Sequence, residues 1–94
     1  MEMITDDKVL DERVDEILKL AALTLYGANV IGQVHVVING VCRYLILEKA
    51  GDPESNLLAF KNRLTTLSNL THPSLPAYKK AIDYAASLIV IEAP

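Results

Sequence analysis

Four segments of the chain carry apolar residues at helical spacing, and one of them also fits a hairpin. From about residue 6 to 26, Leu10, Val14, Ile17, Ala21 and Leu25, with Leu18 beside them, fall on one helical face. Asp11, Glu12, Asp15, Glu16 and Lys19 take the other side. Asp6 or Asp7 is placed to cap this helix, because a short oxygen-bearing side chain accepts the free amides of a first turn. From Leu20 to Tyr26 the helix is apolar all round except at Thr24, so this end needs cover from several sides. Gly27 suits the left-handed residue that closes a helix.

The central stretch, residues 29–50, is the most apolar and the most ambiguous. On a helix, Val30, Ile31, Val34, Val37, Ile38, Val41, Cys42 and Leu45 fill an arc of roughly 140°, with nothing polar before Glu48. Asn29, Gln33, His35, Asn39 and Arg43 lie opposite, joined by Gly32 and Gly40; Val36, Tyr44, Ile46 and Leu47 are the apolar exceptions on that side. The rival is a β-hairpin over 33–47, turning at Asn39-Gly40, a dipeptide that tolerates the positive φ of a two-residue turn. Eight β-branched residues between 29 and 47 favour it. The sorting of polar groups over about five turns, and the ending Leu47-Glu48-Lys49-Ala50-Gly51, favour the helix.

The second half is plainer. Asp52-Pro53-Glu54 starts a helix, with Asp as cap and Pro at a position where its missing N–H costs nothing. Leu57, Phe60, Leu64 and Leu67 mark one face to residue 70. Thr71 to Pro76 is a loop, since each proline drives its predecessor out of helical geometry. Tyr78, Ile82, Ala85 and Ile89, flanked by Ala81 and Leu88, give a last helix over 75–91 with Lys79, Lys80 and Asp83 outside. With a central hairpin, the run Leu88 to Ile91 becomes a third strand instead. The expected fold is an all-α, four-helix bundle with helices near 6–26, 29–50, 53–70 and 75–91, forming one domain over 1–94. The alternative is α+β.

At 94 residues, folding buries roughly 60 to 68% of the surface of the unfolded chain, enough for one core. Apolar residues make up 51% and charged residues 22%, too hydrophobic for disorder, and a mean hydropathy of +0.25 points to apolar surface that an oligomer would cover. The acidic start gives no sign of a secretory signal, and the central stretch is too polar for a membrane span. A lone cysteine forms no internal disulfide, which suits a reducing cytoplasm.

Charge is uneven. Residues 1–20 hold seven acids against three bases, and the rest of the chain six bases against five acids, for a net charge of −3. No basic cluster is large enough to follow a phosphate backbone, so nucleic acid is not an expected partner. Asp6, Asp7, Asp11, Glu12, Asp15 and Glu16 are only partly explained by the helix dipole. Asp7/Asp11, Asp11/Asp15 and Glu12/Glu16 are like-charged i,i+4 pairs, each unfavourable by a few tenths of a kcal/mol. The functional reading is that Asp7, Asp11, Glu12, Asp15 and Glu16 face a basic partner, and the plain one is a solvated face.

Candidate chemistry is sparse. Cys42 and His35 act as a nucleophilic pair only if they touch, and seven residues of helix separate them by about 10 Å. A buried thiol beside an edge histidine is the simpler account. No metal-ligand spacing, phosphate loop or paired-carboxylate signature occurs, so no metal, no cofactor and no enzymatic activity are expected. The polar stripe of Asn29, Gln33, His35, Asn39 and Arg43, extended by Tyr44, is the strongest odd feature. It suits hydrogen bonding across a dimer axis or a small polar ligand. Together these features describe a small cytoplasmic protein-interaction module, a regulator or inhibitor that occupies a partner's surface, of a size common among phage and plasmid accessory proteins. A binder of a small polar ligand is the second reading.

Overall fold

The computed structural model describes the backbone of residues 5–91 and the side chains of residues 8–91. Four α-helices follow in order: α1 Thr5–Thr24, α2 Ile31–Leu47, α3 Pro53–Leu70 and α4 Pro76–Ser87. No strand occurs among the described residues, so the hairpin and the third strand are both excluded.

The central stretch is helical because its apolar arc has a core to fill. Val34, Ile38, Val41 and Leu45, all at 1% exposure or less, lie along one face of α2, with Val30 just before it. Burying a side chain of this size contributes about 1.5 to 3 kcal/mol, which exceeds the penalty of about 1 kcal/mol for each helical glycine. α1 adds Val14, Ile17 and Ala21 to this core, α3 adds Leu57, Phe60 and Leu64, and α4 adds Ile82, Ala85 and Ala86. α1 packs on α2 and α4, α3 packs on the same two helices, and α2 also touches α4.

Helix ends follow local chemistry, with some departures from expectation. α1 already runs through Asp6 and Asp7, so neither is its cap. It stops at Thr24, whose hydroxyl donates to the Ala21 carbonyl. Gly27, at φ 87°, then closes it: its amide bonds to Thr24 O at 3.0 Å and the Ala28 amide to Leu23 O at 3.2 Å, the paired pattern of a glycine-ended helix. Leu25 falls in this turn and is 43% exposed, so it does not extend the buried stripe, and Tyr26 stands 88% exposed. Ile31 likewise leaves the expected apolar arc for solvent, because it opens α2 where no neighbour covers it.

α3 starts as its sequence requires. The Asp52 carboxylate accepts from the Ser55 amide and hydroxyl, both at 2.9 Å, and Pro53 opens the first turn. α4 is shorter than expected. The Ser87 hydroxyl donates to the Tyr84 carbonyl, the Ile89 amide tightens onto Ala86 O, and a β-branched run follows that resists helix. Lys61 Nζ donates to Ile89 O at 2.8 Å, holding the run so that Ile89 is fully buried while Val90 faces out.

Candidate functional site

α2 buries one side and leaves the other open along its length. On the open side stand Val36 at 73% exposure and Leu47 at 68%, with Ile46 at their edge. Gly32 and Gly40 belong to the same side, and a Cβ added at either would meet nothing within 4 Å. Nothing among the described residues therefore requires a glycine there.

The polar stripe is dispersed rather than gathered. Asn29, Gln33, His35, Asn39 and Arg43 are all exposed, whereas Tyr44 is half-buried against the core. Asn29 is engaged locally, its side-chain oxygen accepting from the Ile31 amide at 3.1 Å. His35 sets its ring edge-on to Tyr84 of α4, 6.0 Å away at 63°. Gln33 borders a shallow groove between α1 and α2 with Glu16, Lys19, Leu20, Val36 and Val37, and Asn29 borders a different one. His35, Asn39, Arg43 and Tyr44 line neither, so these two grooves do not gather the stripe.

The acidic face of α1 is real and partly neutralised. Glu12 and Asp15 are exposed and have no ion pair among the described residues. Arg63 of α3 reaches Asp11 at 2.5 Å, and Arg13 pairs with Glu16 at 2.8 Å. Both pairs are solvent-exposed and contribute at most about 1 kcal/mol each. The Asp7 side chain lies outside the described residues.

Cys42 is half-buried, and burial pushes its thiol upward, the opposite of what an activated nucleophile needs. His35, turned to Tyr84, is not its partner. Among the described residues no three His, Cys, Asp or Glu side chains are grouped to hold a metal ion, and no helix is long and apolar enough to cross a membrane.

One polar cluster escaped the sequence reading. Ser68 of α3 is fully buried and donates to Asp83 of α4, while Lys79 Nζ donates to Ser68 Oγ at 2.9 Å and to Asp83 Oδ2 at 3.1 Å. The Ser68 hydroxyl holds the Asp83 carboxyl below the usual carboxylate range; burial opposes this, and Lys79 reinforces it. Lys79 and Asp83, expected outside, stay about half-exposed and reach Ser68 of α3 from the surface. The signal was available, since Ser68 continues the buried Leu57, Phe60, Leu64 stripe and a polar side chain there needs a partner. With Ser68 closed to solvent and both of its neighbours charged, the cluster fastens α3 to α4.

Comparison with family models, curated proteins and solved structures finds no match to this chain.

A groove of about 460 Å³ lies where the α1–α2 connection meets the start of α4. Gly27 to Ile31 and Val34 form one side, and Ala77, Lys80, Ala81 and Tyr84 the other. Another groove lies near the α3–α4 loop, between Leu18, Leu70, His72 and Tyr78.

Proposed function

We propose that the chain is a small non-enzymatic interaction module: a four-helix bundle that pairs through the outer face of α2 and acts, in the cytoplasm, by occupying a partner's surface. The observation that carries this is Val36, an exposed valine at the middle of the most apolar helix, between two glycines with open space above them. Small residues let a second backbone approach, and Val36 and Leu47 supply the apolar contact. Gln33, Asn39 and Arg43 stand around them as a polar rim whose amides and guanidinium hydrogen-bond across the two-fold axis of a homodimer. The acidic face of α1 meets a basic protein partner, steering the encounter and setting its orientation. In this reading the protein is a regulator or inhibitor and no residue needs to do chemistry.

The test is native mass spectrometry of the protein purified from its source, beside a Glu12→Lys, Asp15→Lys variant. The expected outcome is a stoichiometric complex with a basic protein that the charge reversal abolishes and that added salt weakens. A wild-type protein carrying a small molecule and no bound protein would sink the reading.

A further inference from the structure

We propose that the groove between the α1–α2 connection and α4 is a binding site for a small amphipathic anion, an apolar body with one anionic group such as a medium-chain carboxylate. This goes beyond the role of the α2 outer face and does not depend on it. The groove, at about 460 Å³, falls within the range of small-molecule sites, and its walls are mainly apolar. Val30 and Val34, at 5% and 1% exposure, are its buried floor, and Ala77 and Ala81 keep the opposite wall low enough to leave room. Tyr84 stands half-buried at the side. The one charged side chain in the lining is Lys80, and no acid borders the groove, although the chain as a whole carries −3. An apolar trough with a lone cation at its rim is complementary to a hydrocarbon with a single negative end.

One helix end beside it acts in the same sense. The groove takes residues from the starts of both α2 and α4; neither has an acid in its first turn, and neither N-cap residue bonds its side chain to that turn, although at α2 the Asn29 side-chain oxygen already takes the Ile31 amide. α3, which does not border the groove, has both, in Glu54 and Asp52. The uncapped positive end of α4, which carries Lys80, thus reinforces it where the anionic group would sit. The apolar body would lie between Val34 and Ala81.

Titration of the full chain with decanoate, read by amide shifts in two-dimensional NMR, tests the site. Saturable shifts are expected at residues 27–34 and 77–84, with decyltrimethylammonium, which has the same chain and the opposite charge, binding at least about tenfold more weakly. Lys80→Glu, at an exposed position, should weaken decanoate by a similar factor, and Ala81→Trp should block it by filling the trough. Equal binding of the two amphiphiles, shifts centred on Val36, or no saturation below the micellar concentration would each overturn the proposal. Lys80→Glu decides the matter should Ala81→Trp fail to fold.

Discussion

In the seam between α3 and α4 a polar group is inside and paired: Ser68 is fully enclosed and bonded to both Asp83 and Lys79. On the outer face of α2 the apolar groups are outside and unpaired, with Val36, Ile46 and Leu47 in solvent beside open glycines. Burial normally runs the other way, since a buried hydroxyl costs free energy unless bonded and an exposed valine gains nothing from water. The seam resolves its anomaly within one chain. The α2 face does not, and that difference separates what holds this fold together from an apolar face that the described residues leave open.

The comparison can be broken most forcefully by truncating one apolar residue on each side of it. Leu64→Ala, at a fully buried position, should cost about 2 to 5 kcal/mol in urea unfolding, whereas Val36→Ala should change monomer stability by no more than about 0.5 kcal/mol. A comparable loss at Val36 would mean that the face is already covered. Ser68→Ala should cost about 1 to 2 kcal/mol, toward the lower part of the range for bonds to charged groups, because Asp83 and Lys79 stay half-exposed and can solvate. Little or no loss would show that the seam is held by packing alone.

Gly40→Ala sharpens the other side. With nothing within 4 Å of the added Cβ, it should raise monomer stability by up to about 1 kcal/mol while weakening self-association. A gain in both would remove the glycine from the interface. The smallest effect is with pH. Asp83 is held below its unfolded value of about 3.9, so its contribution is complete above that value and is lost as pH falls through the lower folded value. In urea midpoints followed from neutral pH into acid, Asp83→Asn should flatten the last part of the decline; an unchanged slope would deny the linkage.

Much of the fold was legible in the sequence, and the reasons differ by element. α3 could be read to the residue, because Asp52 and Pro53 fix its start and Pro73 forbids its continuation. α2 was the harder case: Asn39-Gly40 is turn chemistry, and the segregation of Asn29, Gln33, Asn39 and Arg43 from Val34, Ile38 and Leu45, with the glycine-closed ending at Gly51, spoke for a helix. Packing decides it, because the apolar arc has three other helices to bury against and a hairpin would divide it. The end of α4 was overestimated, since periodicity carried Ile89 into a helix that Ser87 and the β-branched run bring to a stop. The candidate site was less legible. That Ser68 meets Asp83, or that Ala28 and Ala81 face one another across a groove, depends on which helices are neighbours, and spacing within one helix carries no such information. The same limit explains why Asn29 and Gln33, neighbours on a helical wheel, border different grooves.

The most direct test of the central claim is sedimentation velocity of the wild-type chain and of Val36→Asp over a wide concentration range, with far-UV circular dichroism on both. The outer face of α2 as an interface predicts a concentration-dependent dimer for the wild type and a monomer of unchanged helicity for the variant. A wild-type chain that stays monomeric at the highest concentration reached, or a variant that dimerises equally well, would contradict it.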